Sequence, residues 1–236
     1  MTAASGPMRR AAAWGVHVLT ASSAAAGVLA VLAAERGAAR TALAWMAYTI
    51  AVDSIDGTLA RAVEVKRVLP MVDGTRLDDI VDYFTYVIVP ALFLVQLDLL
   101  PANIAVPVAV CPVLASAVGF SRVDAKTPDH FFTGFPSYWN IVAFYLWALG
   151  WSRAVNAAVV IGFSIAVFVP IRYVYPSRTT ALRPLTVALG IVWGAAILAV
   201  LSRPGAPPQA VVVGSLAFPV YYVLLSFALH ASRTPG

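Results

Sequence analysis

An all-α fold, a polytopic membrane helix bundle of about eight transmembrane helices with both termini cytoplasmic, is the class this sequence predicts. Three observations predict it. Hydrophobic residues make up 61% of the 236 and charged residues only 11%, against about 25% charged in a soluble domain. Mean hydropathy is +0.83. The apolar residues fall into runs near the ~20 residues that a bilayer core requires, and the breaks between runs carry Gly, Pro and charge.

In order, the predicted spans are 13–34, 41–62, 74–97, 103–122, 135–151, 154–175, 184–202 and 208–230. Before the first lies Met1 to Arg10, a charged stretch followed by an apolar run long enough to span and without a convincing cleavage site, so the first helix reads as retained. Loop signals close the others: Glu35-Arg36-Gly37, Leu100-Pro101-Ala102-Asn103, Asp124 to Asp129, Tyr175-Pro176-Ser177-Arg178, and Arg203 to Pro208. There is no internal repeat and no low-complexity tail, so 1–236 reads as one integral membrane domain.

Basic residues set the orientation. With the N-terminus inside, 12 of the 16 fall on one side: Arg9, Arg10, Arg61, Lys66, Arg67, Arg76, Arg122, Lys126, Arg172, Arg178, Arg183 and Arg233. Only Arg36, Arg40, Arg153 and Arg203 fall on the other. That excess fits the positive-inside rule. The net charge of +5 therefore reads as membrane topology, and no nucleic-acid partner is expected. Cys111, the single cysteine, cannot form an intrachain disulfide and reads as a small apolar residue.

Residues 53–82 organise the chain. Seven of its 11 acidic residues lie there: Asp53, Asp56, Glu64, Asp73, Asp78, Asp79 and Asp82. A charge at mid-membrane costs roughly 2.5–3.5 kcal/mol on insertion scales, so such residues need a partner or a task. On a helix, Asp53, Asp56, Gly57, Ala60 and Arg61 share one face of the second span. Gly74, Asp78 and Asp82 step by four along the third, and Tyr86 continues the row. Two antiparallel helices joined by a short loop bring four carboxylates together at the cytoplasmic end. Such oxygen ligands suit Mn²⁺ or Mg²⁺, and four of them can hold two ions for phosphoryl chemistry. Gly57 and Ala60 would let a phosphorylated ligand approach the backbone, and Arg61 could pair with phosphate oxygens. The blander alternatives are a packing face for the small residues and an interface anchor for Arg61, Lys66 and Arg67. No packing role calls for the aspartates.

The run D-x-x-D-G-x-x-A-R (Asp53, Asp56, Gly57, Ala60, Arg61), then G-x-x-x-D-x-x-x-D (Gly74, Asp78, Asp82), resembles the signature of the CDP-alcohol phosphotransferases. One departure is the spacer of 12 residues between Arg61 and Gly74, longer than in most of that family. That spacer resembles the bacterial phosphatidylcholine synthases, as do Val65 to Pro70, Leu77 to Tyr83, Tyr86 to Pro90 and Gly134 to Asn140. The similarity runs from about His17 to Thr186.

The resemblance implies an enzyme that condenses CDP-diacylglycerol with choline to give phosphatidylcholine and CMP. Carried over position by position, Asp53, Asp56, Asp78 and Asp82 would bind Mn²⁺ or Mg²⁺, two ions in all. Asp82 would serve as general base, ligand or both, with Asp78 the other catalytic carboxylate. Asp56, Gly57, Ala60, Arg61, Gly74 and Asp78 would form the CDP pocket. A homodimer in a bacterial inner membrane, its site facing the cytoplasm, is also implied; 14 Arg against 2 Lys suits a GC-rich bacterial gene.

A quaternary ammonium is held by aromatic faces and nearby negative charge. Tyr83, Tyr86, Tyr138, Trp139, Tyr173 and Tyr175 are the candidates, with an interfacial aromatic belt as the alternative. Arg122, Lys126, Arg172 and Arg178 are candidates for the lipid diphosphate, with topology as the alternative. Asp79 points off the Asp78/Asp82 face and reads as a partner from outside the cluster, with a choline-side role as the sharper alternative; Glu64 reads as a partner of Lys66 or Arg67, and Asn140 as a residue that hydrogen-bonds a neighbouring helix or the site. His17, His130 and His230 have no metal-ligand spacing. A different acceptor (serine, inositol or glycerol phosphate) keeps the same signature. A metal- or proton-coupled transporter would instead spread its acids over several helices and depths.

Overall fold

The computed structural model describes residues 6–232 apart from Ser177; Arg233 and both chain ends lie outside the described residues. Helices α1 (Pro7–Glu35) and α2 (Ala39–Ala62) form an antiparallel pair joined at Gly37, whose φ of +71° suits a residue without Cβ. The spacer after Arg61 is ordered around a short turn, α3 (Val65–Val68). It buries Val65, Val68 and Leu69 against Ala13 and Val16 of α1, with Ala60 at the edge. The extra length thus seals the junction between α1 and the signature.

The third helical rod has three parts: α4 (Gly74–Asp82), a π-helical segment (Tyr83–Ile88) and α5 (Val89–Gln96). Asp73 caps α4, accepting from Thr75 N and Arg76 N at 3.1 and 3.2 Å. Pro90 explains the widened turn. It has no N–H for the carbonyl four residues back, and Val89 N–H bonds Phe84 O, five back. Helices α6 (Ala105–Ser121), α7 (Trp139–Ala148) and α8 (Arg153–Ala166) follow, then α9 (Arg183–Ser202), α10 (Gln209–Ser215) and α11 (Ala217–Ala231). The short α7 is central: Trp139, Ala143, Phe144, Leu146 and Ala148 are all buried in the main core.

Among the described residues, three helical stretches are long and apolar enough to cross a bilayer: Pro7–Glu35, Arg183–Ser202 and Gln209–Ala231. The protein is a mostly helical membrane protein. Two expectations need correction. The fold is not wholly α, because β1 (Phe131–Thr133) and β2 (Arg172–Val174) pair antiparallel, with Phe132 opposite Tyr173. The segment 154–175 is therefore not one helix: α8 stops at Ala166, and Pro170 precedes the strand. Likewise 135–151 starts as an extended stretch through Pro136, and its helix is only α7. An apolar run rich in aromatic and β-branched residues reads the same to a hydropathy scan whether it coils or extends.

The connections gather at two ends. Arg40 donates to Gly205 O, Arg153 to Asp98 O and Gln209 to Ala148 O, which ties one set together. At the opposite end, Arg9 meets Glu64 at 2.8 Å and Thr179 donates to His130 O at 2.6 Å. This second end carries the aspartates.

Gly134 holds the β1–α7 corner at φ +81°, and a Cβ there would lie 2.1 Å from Val167 O. Gly134→Ala is expected to cost well beyond the ~1–2 kcal/mol of a left-handed L residue. Gly205→Ala, at φ +85° with nothing within 4 Å, should cost only that conformational part. Melting temperatures of the two variants in detergent check the difference; equal losses would contradict the packing account.

Candidate active site

Helices α2 and α4 bring Asp53, Asp78 and Asp82 together. One carboxylate oxygen from each lies within 4.8 Å of the others. The i, i+4 step along α4 sets Asp78 and Asp82 on one face, and α1 packs against both α2 and α4. Asp56 is placed differently. It is buried, 6% exposed, and its Oδ2 accepts from Thr20 of α1 at 2.7 Å. Its second oxygen stays available, but Asp56 is not in the tight group of three. Gly57 and Arg61 lie on the exposed side of α2, with Arg61 donating to Thr58 at 2.9 Å. Gly74 faces His17: a Cβ at 74 would come within 3.2 Å of His17 Cε1.

Tyr86 extends the row onto the π segment and donates its hydroxyl to Asp53 Oδ2 at 2.9 Å. Tyr138 follows, with ring centroids 6.2 Å from Tyr86 and 6.2 Å from Tyr222. It lies within electrostatic reach of Asp53 and Asp82. Phe132 abuts Tyr138 at 6.3 Å and Tyr175 at 4.6 Å, and Tyr173 stacks behind Tyr222. Two expected members stand apart. Tyr83 donates to Val113 O and sets its ring on Phe120 of α6. Trp139 is 1% exposed, with its indole N–H on Ser116 Oγ at 2.8 Å. Both are one residue out of step with the face that carries the carboxylates and tyrosines.

Each of the four candidate cations has a protein contact. Arg122 forks onto Asp124 through Nε and an Nη, at 2.8 and 2.7 Å. Arg172 pairs with Asp129 and lies over the Phe131 ring, and Arg178 lies over Tyr175. Lys126 reaches the site, with Nζ 3.6 Å from Asp79 Oδ1. Burial works against its charge, yet Asp79, Asp78, Tyr175 and Asp82 hold the ammonium above the usual lysine range. Asp79 is thus the partner from outside the cluster that its position on α4 suggested. Glu64 pairs with Arg67 at 3.5 Å, as expected, and also with Arg9. Asn140 does not bridge helices: its Oδ1 accepts from the adjacent Ile141 N–H.

No protein-family model matches the chain. Curated relatives do. A Legionella pneumophila protein named phosphatidylcholine synthase is 49% identical over 168 residues, 71% of this chain and 66% of that protein. A Pseudomonas aeruginosa protein of the same name is 37% identical across 79% of each chain. One from Rhizobium meliloti is 35% identical over 224 residues, 95% of this chain and 93% of its own. The chain belongs to the phosphatidylcholine synthase family. It spans just under two thirds of the Legionella pneumophila relative, and all but a few percent of the Rhizobium one.

In this member of the phosphatidylcholine synthase family, the carboxylate group fits a divalent ion. Three carboxyl groups this close repel one another when ionised unless positive charge joins them, all donors are oxygen, and the Lys126 contact is to Asp79 rather than to the three themselves. Sequence reasoning missed Thr20, Phe132 and Tyr222. Thr20 sits at helical spacing from His17 on the buried stripe of α1, a signal open to a moment-style reading. Tyr222 lies more than a hundred residues from the aspartates and carries no local signal.

Proposed function

We propose that this protein is a membrane phosphatidyltransferase that condenses CDP-diacylglycerol with choline, releasing CMP. The observation that carries the reading is the carboxylate triad Asp53, Asp78 and Asp82 joined through Tyr86 to a wall of tyrosines. Asp53, Asp78 and Asp82, with the outer oxygen of Asp56, would hold Mn²⁺ or Mg²⁺ as two ions. Bound there, the metal supplies positive charge for the phosphate oxygens and the departing CMP.

The chain's own residues do the rest. The tyrosine wall (Tyr86, Tyr138, Tyr222), edged by Phe132 and Tyr175, receives the trimethylammonium on aromatic faces. This orients the choline hydroxyl toward Asp82. Asp82 takes the hydroxyl proton as oxygen attacks the phosphorus bearing diacylglycerol. A new P–O bond forms, and the P–O bond to CMP breaks. Gly57, Ala60, Arg61 and Gly74 line the nucleotide side. Lys126, above the site on Asp79, is the candidate for a diphosphate oxygen among the four cations. A small apolar crevice between α2, α7 and α9 is lined by Leu43, Ile50, Phe144 and Ile197, with Ile50 one turn before Asp53; it marks where an acyl chain would lie against the bundle.

A phosphorylated acceptor would need a basic pocket beyond the one cation given to the diphosphate, whereas Arg122 and Arg172 are ion-paired and Arg178 packs on Tyr175. Eight spans, cytoplasmic termini, a homodimer and a bacterial inner membrane complete the proposal. The test is purified protein with CDP-diacylglycerol, Mn²⁺ and labelled choline, with serine, inositol and glycerol 3-phosphate in parallel. Labelled phosphatidylcholine from choline alone is expected, lost with chelator and with Asp56→Ala. Product from another alcohol would overturn the acceptor; no product from any would overturn the reaction.

A further inference from the structure

Helix α1 contributes a stripe to the site that the signature does not contain. Ala13, His17 and Thr20 lie at helical spacing on its buried face. Ala13 packs in the cluster that includes Ala60, His17 covers Gly74, and Thr20 holds Asp56. The stripe therefore touches three of the positions assigned to the nucleotide side. Within it, one polar atom is unsettled. His17 is 6% exposed, and its Nε2 is buried without a hydrogen-bond partner. A buried polar nitrogen left unpaired is unfavourable, and native structures keep such groups mainly where a ligand or water completes them.

The row along α4 says which ligand part arrives there. Gly74, Asp78 and Asp82 are spaced about 6 Å apart by helix rise, and Tyr86 follows beyond Asp82. On the reading proposed above, the alcohol end would lie at Asp82 and Tyr86, and the phosphates at Asp53 and Asp78. The remaining end, at Gly74, is bordered by His17, and Ala60 packs in the α1 cluster that holds Ala13. Small residues there accept a flat ring, and a neutral imidazole nitrogen can donate to or accept from a base edge.

We propose that His17 Nε2 hydrogen-bonds the pyrimidine base of the CDP group, making α1 a specificity element of the nucleotide site. The inference rests on the phosphatidyltransferase reading above. Glycine at 74 then has a second reason: a Cβ would press on the imidazole and shift it off the base.

The experiment measures CMP and UMP binding calorimetrically in detergent with Mn²⁺, for wild type, His17→Ala and His17→Gln. Kinetics with CDP-diacylglycerol and choline accompany it. In His17→Ala, CMP binding is expected to weaken about tenfold, the worth of one neutral hydrogen bond. The preference for CMP over UMP should largely vanish. KM for CDP-diacylglycerol should rise while KM for choline stays put, and His17→Gln should recover part of the loss. A merely packing role would lower the melting temperature and move both KM values together, with CMP preference kept; that result overturns the proposal. So does unchanged CMP binding in His17→Ala, or loss of preference between CMP and dCMP instead, which would put His17 on the ribose. The binding arm needs no turnover. A wild type that binds CMP but makes no phosphatidylcholine defeats the choline reading alone, and the His17 comparison still decides.

Discussion

Asp78→Asn is expected to reduce kcat by about 10³-fold or more, because it removes one of the three clustered carboxylates of the metal group. Asp78 belongs to a group in which one oxygen from each of Asp53, Asp78 and Asp82 lies within 4.8 Å of the others. Asparagine keeps the shape and one oxygen but removes the charge that neutralises a divalent ion. The same substitution should not harm the metal-free protein. Two adjacent carboxylates lose a like-charged neighbour and gain N–H donors, so the melting temperature in chelator should hold or rise. Activity and apo stability thus move in opposite directions, a signature that misfolding cannot produce. The checks are CMP release, Mn²⁺ binding by electron paramagnetic resonance, and thermal melts with and without chelator. A kcat within tenfold of wild type, with Mn²⁺ still bound, would remove Asp78 from the chemistry.

The sequence carried the carboxylate group because helical spacing is a local property. Asp78 and Asp82 differ by four residues, and Gly74 and Tyr86 continue the row, so one face follows from counting. Pairing that face with Asp53 needed only a short connection between two helices. What spacing could not show is the company Asp56 keeps: it fits the face, but its hydroxyl partner Thr20 comes from α1, and nothing local to Asp56 announces it. The aromatic wall was half legible. Tyr83 and Tyr86 follow the aspartates and Tyr138 and Trp139 open the fifth predicted span, but only Tyr86 and Tyr138 face the carboxylates, whereas Tyr83 and Trp139 point elsewhere. Adjacent residues on a helix diverge by about 100°, so nearness in sequence cannot select a face. Tyr222 and Phe132 arrive by tertiary packing alone. The β1–β2 hairpin was hidden for a different reason: Phe131 to Thr133 and Arg172 to Val174 are short, aromatic and flanked by apolar sequence, and composition does not separate such strands from helix ends.

The aromatic wall makes a prediction specific to a cationic acceptor. Tyr138→Ala is expected to raise KM for choline about 30-fold, from a desolvated cation–π contact of about 2 kcal/mol. Its ring is the hinge of the wall, 6.2 Å from both Tyr86 and Tyr222. Tyr138→Phe keeps the face and should leave KM within a few-fold, because the quadrupole and not the hydroxyl holds the ammonium. KM for CDP-diacylglycerol should not follow, since the nucleotide side lies toward Gly74, two helical turns from Asp82. Trp139→Phe is the comparison. Its indole bonds Ser116, so removing that bond should lower the melting temperature and spare choline KM. The two neighbours then separate by role, one reading the substrate and the other holding the core. Equal choline KM in Tyr138→Ala and wild type would leave the carboxylates without an aromatic subsite. An acceptor held by hydrogen bonds, such as serine or inositol, would then account better for the site.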